Sequence, residues 1–248
     1  MTASAPPSPS VSSPTLTAYY LSGNVMRSRS VGDVVLSGTV DIPEPPARLR
    51  ADWARELASH TPVAPGDVEV MPLARARTRW PTYGQCVAAV SDWAAALGLP
   101  DAPAGCDIAL MACRGARYHH DGEQYGGAAF CNLFLSEDKG QDVHFPALDL
   151  RIPLRRGTVL VFDPCQPHAV VPRRRDRFDA ADFPPEADNT QLFLTWELSI
   201  EDARIGRALR VAFDTDAPGA TRMRDEHVRC NGEVVSLSPV DGRWQRAG

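Results

Sequence analysis

RYHHDGEQYGGAAFCNLFLSEDKGQDVHFPALDLRIPLRRGTVLVFDPCQPHAVVP, residues 117–172, is the stretch that decides how this chain folds. It breaks into short β-forming runs, AAFCNLFLS, QDVHFPAL, TVLVFD and HAVVP, separated by Gly, Pro and Asp turns. IALMAC at 108–113 precedes it and TQLFLTWELSI at 190–200 follows, each again a strand-like run. No gap between these runs holds the helical crossover of roughly 10–15 residues that parallel βαβ units need. The strands are therefore expected to pair antiparallel and to close into a sandwich or barrel.

Outward from this core, residues 1–16 are Ser, Pro, Ala and Thr with little to bury, and read as a disordered tail ahead of one domain at 17–248, whose core lies at about 107–200. DVVLSGTV at 33–40 is strand-like and IPEPP stops it. ARLRADWARELASH places Leu49, Trp53 and Leu57 on one helical face, and Val87, Val90, Ala94 and Leu97 mark a second helix that Gly98 and Pro100 close. Two amphipathic helices need a sheet to cover, so the fold class expected is mainly β with N-terminal helices packed on one sheet. Ser199 is the expected N-cap of a short helix, with Asp202 three residues on. HVRCNGEVVSL, 227–237, reads as a hairpin turning at Asn231-Gly232.

With 26 Lys plus Arg against 31 Asp plus Glu the net charge is -5, which argues against nucleic acid as a partner. Cysteines at 86, 106, 113, 131, 165 and 230 form no CxxC pair and suit a reducing cytosol as small buried side chains. The N-terminus lacks the basic-then-apolar pattern of a signal peptide, and no stretch reaches the roughly 18 apolar residues of a membrane span. A cytoplasmic protein with no membrane partner is expected.

Chemistry concentrates at His119, His120 and Asp121. In an extended segment residues i and i+2 share a face, so His119 and Asp121 point together and His120 points away. A third ligand has to come from afar, and His168, between the apolar run TVLVFD and the run it opens itself, is the best placed. Two His and one carboxylate on one face of a metal leave the opposite face open, which suits non-haem Fe(II) with a chelating co-substrate and dioxygen. Zinc is the competing metal.

Residues 107–200 resemble the core of the Fe(II)/2-oxoglutarate-dependent oxygenases, closest to their prolyl-hydroxylase-like branch. On that resemblance His119 and Asp121 match the family's HxD pair and His168 its distal histidine, together the metal-binding and catalytic residues. It implies a double-stranded β-helix, or jelly roll, with iron between its two sheets, and Fe(II), 2-oxoglutarate and O2 as cofactor and co-substrates. It further implies hydroxylation of a small molecule, an amino acid or a peptide residue by hydrogen abstraction. Members that transfer halide replace the carboxylate with a small residue, so Asp121 points to hydroxylation, desaturation or a related oxidation.

The family places a basic residue at the start of the strand after the distal histidine, where it pairs with the remote carboxylate of 2-oxoglutarate. That strand here begins with Thr190 and Gln191. Arg174 shares the face of His168 if its strand continues, Arg177 lies at the family's usual sequence distance, and Arg117 shares the parity of His119; all three remain candidates. Tyr118 and Asn132 are further candidates for co-substrate or substrate binding. Glu123 and Tyr125 stand in a mouth loop whose Gly126 and Gly127 permit close backbone approach. His144 is expected to be a satisfied polar residue of the core. ADFPPEADN and the region 60–80 are candidate lids. Two alternatives stand beside the oxygenase: a cupin-like metal-dependent dioxygenase or isomerase that does not use 2-oxoglutarate, and a non-enzymatic β-sandwich module.

Overall fold

This computed structural model describes residues 15–60, 62–73, 77–99 and 108–246, and among these, fifteen strands in three sheets and four principal α-helices carry the fold. In chain order the first elements are β1 (Leu16–Ser22), β2 (Val25–Ser30), β3 (Leu36–Thr39), α1 (Ala47–Ser59), β4 (Val68–Met71) and α2 (Tyr83–Ala96). The central strands follow as β5 (Ile108–Cys113), β6 (Ala116–His119), β7 (Ala128–Phe134), β8 (Gln141–Phe145), β9 (Leu150–Pro153), β10 (Thr158–Phe162), β11 (His168–Pro172) and β12 (Gln191–Ser199). The C-terminal part comprises α3 (Ala203–Ala208), α4 (Ala217–Ala220), β13 (His227–Cys230), β14 (Glu233–Leu237) and β15 (Trp244–Arg246).

The expected antiparallel pairing holds throughout the central strands. A six-stranded sheet runs β3-β10-β7-β12-β5-β4 and a four-stranded sheet runs β6-β11-β8-β9. Alternation assigns the two faces of the larger sheet. Leu110, Ala112, Leu133, Val159, Val161, Leu194 and Trp196 point toward the helices, where they meet Leu49 and Trp53 of α1 and Val90 and Ala94 of α2. Cys113, Phe134, Leu160, Phe162 and Phe193 point the other way and pack with Val143, Phe145 and Val170 of the four-stranded sheet. Strands covered on both faces need apolar residues at every position, which is why TVLVF has no polar alternation. Each such aliphatic or aromatic side chain contributes about 1.5–3 kcal/mol by leaving water.

The helix expectations are met in position, with one correction. Ser199 is not a cap: it pairs with Ala128 as the last residue of β12. Asp202 caps α3 instead, its carboxylate accepting from the Arg204 N–H at 2.8 Å. The hairpin at Asn231-Gly232 forms, with φ of 52° and 80° at the two turn residues. It belongs to a third sheet, β15-β14-β13-β1-β2, that joins the two ends of the chain. Leu16, assigned to the tail from its sequence, opens β1 and is buried; residues 1–14 lie outside the described residues. Among the described residues no disulfide forms, and no helix is long and apolar enough to cross a membrane.

Candidate metal centre

His119 ends β6, Asp121 stands in the turn that follows, and His168 opens β11. Antiparallel pairing sets His119 directly opposite His168, so ligands 49 positions apart in sequence become cross-strand neighbours, with ring centroids 4.3 Å apart. The turn is pinned by the Asp121 N–H donating to the Pro164 carbonyl at 2.9 Å and by the Asp121 carbonyl accepting from Tyr125 at 2.8 Å.

Backbone carbonyls orient both rings. His119 Nδ1 lies 2.7 Å from the Arg117 carbonyl and His168 Nδ1 2.9 Å from the Gln166 carbonyl. A carbonyl only accepts, so each Nδ1 carries a proton, and each Nε2 is left as the ring atom that a metal could take. Those Nε2 atoms stand 3.8 Å and 3.7 Å from the two Asp121 carboxylate oxygens. One donor atom from each of the three residues falls within 4.8 Å of the others. Two imidazole nitrogens and a carboxylate gathered in this way could hold a divalent ion.

Burial holds His168 well below the ordinary imidazole value, with the neighbouring His119 adding to the effect, and burial raises the Asp121 carboxyl against the pull of His119 and His120. The neutral form of His168 is thus the form built into the fold. Its folded value lies below the unfolded one of about 6.5, so the stability tied to neutrality is present above that pH and is lost as pH falls below it. Urea unfolding of the metal-free protein at about pH 7.5 and about pH 5.5 is expected to show this loss, shrunken in His168→Gln. An equal loss in both proteins would contradict it.

Behind the ligands a cavity of about 380 Å³ opens between the two central sheets. Its wall is mainly apolar, and its polar members besides the triad are Asn132, Thr195, Tyr125 and Glu197. The Thr195 hydroxyl donates to Asn132 Oδ1. Of the two candidate lids, the region 60–80 contributes Val68 and Val70 of β4 to this cavity. ADFPPEADN contributes Phe183 to the far side of the four-stranded sheet, where it packs with Phe178, Tyr118, Ala169 and Val171.

Of the five residues expected to bind co-substrate, Asn132 lines the cavity and four do not. Arg117 is exposed and pairs with Asp67 at 2.7 Å. The parity argument fails there because β6 carries an extra residue: two steps on β11, from His168 to Val170, span three on β6, from His119 to Ala116. Tyr118 faces outward, its hydroxyl 2.5 Å from His144 Nδ1 and 3.0 Å from the Asp176 carbonyl oxygen. Arg174, at φ 73°, and Arg177 are exposed on the loop that leaves β11. His144 is thereby the satisfied polar residue expected. His120, turned away from the other two, accepts from the Gly122 N–H at 3.3 Å and packs on Trp244.

Sequence reasoning did not find the buried pair that supports the site. Asp163 and Arg29 are both 0% exposed and join at 2.5 Å and 3.0 Å. Asp163 also accepts from the Gly32 N–H at 2.7 Å and the Cys165 N–H at 2.9 Å, and Arg29 Nε donates to the Gly126 carbonyl at 2.8 Å. The pair therefore ties β2 to both loops that present ligands, the one after Asp121 and the one before His168. Gly126 permits the approach, since a Cβ there would fall 2.7 Å from Tyr20 Cβ. A carboxylate ending the apolar run TVLVFD was a visible signal, whereas its partner in VMRSRS was not.

No family model and no curated protein matches the chain. Among solved structures, a Pseudomonas putida prolyl-4-hydroxylase is similar at 18% identity over 66% of this chain and 92% of its own, with a TM-score of 0.39. The viral collagen prolyl hydroxylase of Paramecium Bursaria Chlorella virus-1, in a truncated form, gives 12%, 67%, 90% and 0.37 by the same measures. EvdO2 of Micromonospora carbonacea var. aurantiaca gives 11%, 66%, 86% and 0.41. At such identities and TM-scores, the reading of the site rests on this chain's own geometry.

The triad is consistent with Fe(II) binding. The remote carboxylate of 2-oxoglutarate is not matched: among the described residues no Lys or Arg lines the cavity.

Proposed function

We propose that the protein is a non-haem Fe(II) oxygenase that uses a 2-oxo acid and dioxygen to oxidise a C–H bond. His119, Asp121 and His168 would hold the metal, with the open face left to the acid and to dioxygen. The observation that carries the reading is the convergence of two carbonyl-oriented Nε2 atoms and one carboxylate at the wall of an apolar cavity. The strand arrangement supports it: β5, β6 and β7 alternate between the two central sheets, as do β10, β11 and β12, as the strands of a double-stranded β-helix would. Bound iron would supply the hydrogen-removing chemistry. The chain's own residues fix the tautomers of the ligands, shape the cavity and keep water from its apolar wall. A carboxylate at position 121, able to serve as a ligand, favours hydroxylation or desaturation of a small molecule, an amino acid or a peptide residue.

The absence of a Lys or Arg among the described residues that line the cavity favours a second reading, a cupin-like metal-dependent dioxygenase or isomerase that uses no 2-oxo acid. One experiment separates the two. Anaerobic protein given Fe(II) and millimolar 2-oxoglutarate or other 2-oxo acids is expected to develop the weak visible charge-transfer band of a chelate. Iron bound without a band for any such acid supports the second reading, and no bound iron removes both.

A further inference from the structure

We infer that the 2-oxo acid selected by this centre carries an apolar, uncharged tail instead of a second carboxylate; the inference rests on the oxygenase reading above and names its co-substrate class. The part of the cavity between the sheets is walled by Phe134, Val143, Leu160, Phe162, Val170 and Phe193. A tail reaching past the metal enters this wall, where an apolar group is favoured and an unpaired carboxylate is penalised by lost hydration. Apart from Asp121, whose charge a bound metal would offset, the charged residue among the described lining is Glu197, a carboxylate that repels a second anion.

Of the cations on the strands and loops around the cavity, Lys139, Arg173 and Arg117 are paired elsewhere, and Arg114 lines a separate cavity beside α1. The Lys139 ammonium, whose charge reaches the Cys113 thiol, is held by Asp188 at 2.5 Å and by the Thr190 carbonyl at 2.7 Å, and it faces a separate cavity beside α1. Arg173 is bound by Asp138 and Asp142, and Arg117 by Asp67. Where β12 begins, opposite Cys113, stands the fully buried amide of Gln191, whose nitrogen and oxygen have no hydrogen-bond partner among the described residues and which offers a carboxylate no counter-charge. The remaining polar pair, Asn132 and Thr195, is neutral and internally hydrogen-bonded. With about 380 Å³ available, the cavity has room for a branched aliphatic or benzyl tail.

The test is a titration of the Fe(II)-loaded wild-type protein under anaerobic conditions, read from the chelate band and not from turnover. 2-Oxoglutarate is compared with 5-methyl-2-oxohexanoate, which has the same shape but an isopropyl group in place of the remote carboxylate, and with phenylpyruvate. The apolar acids are expected to half-saturate the band at concentrations at least about tenfold lower than 2-oxoglutarate. Equal or tighter binding of 2-oxoglutarate overturns the inference and leaves the oxygenase reading standing. Bound iron with no band for any acid overturns both.

Discussion

Replacing Asp163 with asparagine is expected to lower the unfolding free energy by about 3–5 kcal/mol, because the Arg29 charge then stays buried without its counterion. Both side chains are fully buried, and the carboxylate accepts from two guanidinium nitrogens and two backbone N–H groups. A neutral amide has one oxygen to offer, and its NH₂ would face donors. The damage is also expected to spread to the ligands, since Arg29 holds the Gly126 carbonyl and Asp163 holds the Cys165 N–H three residues before His168. Urea unfolding of the metal-free variant measures the first effect and Fe(II) affinity the second. Arg117→Ala, which breaks an exposed pair, serves as the control at about 0–1 kcal/mol. A loss no larger than that control in Asp163→Asn would contradict the account.

The second large effect concerns the metal. His168→Ala and Asp121→Ala are each expected to weaken Fe(II) binding by at least about 100-fold, the upper range for loss of mere outer partners of a ligand. His120→Ala is expected to leave the affinity within a few-fold, although His120 is the immediate neighbour of both His119 and Asp121. Its ring packs on Trp244 and its Nδ1 is taken by Gly122. Anaerobic dialysis against Fe(II), with circular dichroism to confirm folding, makes the comparison. A similar loss in His120→Ala would show that proximity in sequence had been mistaken for a site.

The legible parts of the molecule are those whose residues face one environment along their whole length. TVLVF is covered on both faces, and QLFLTWELS is largely so as far as Trp196, so their apolar runs announce β10 and β12 without any partner being known. His119 and His168 could be paired in advance because each sits at a strand end and antiparallel strands bring such ends together. Alternation carried through an irregularity misplaced Arg117 and Arg174, and the family's usual sequence distance misplaced Arg177. The extra residue in β6 turns Arg117 away from the face of His119, and the loop after β11 leaves Arg174 and Arg177 in solvent. Strands β1 and β2 were not foreseen, because VMRSRS spends its polar residues on bonds to distant groups, such as Arg27 to Glu201 and Asp214. Such pairings join positions more than 170 apart and leave no local trace. Their consequence for the site, the Arg29–Asp163 pair, is invisible for the same reason.

The central claim is a mononuclear iron held on one face with open positions opposite. Its most direct test is electron paramagnetic resonance of the anaerobic Fe(II) protein exposed to nitric oxide, with and without a 2-oxo acid. The account predicts the half-integer-spin signal of an iron–nitrosyl, about one per chain, that changes shape when the acid is added and is absent in His168→Ala. Fe(II) that binds stoichiometrically yet gives no nitrosyl signal, or a signal that persists unchanged in His168→Ala, would contradict it.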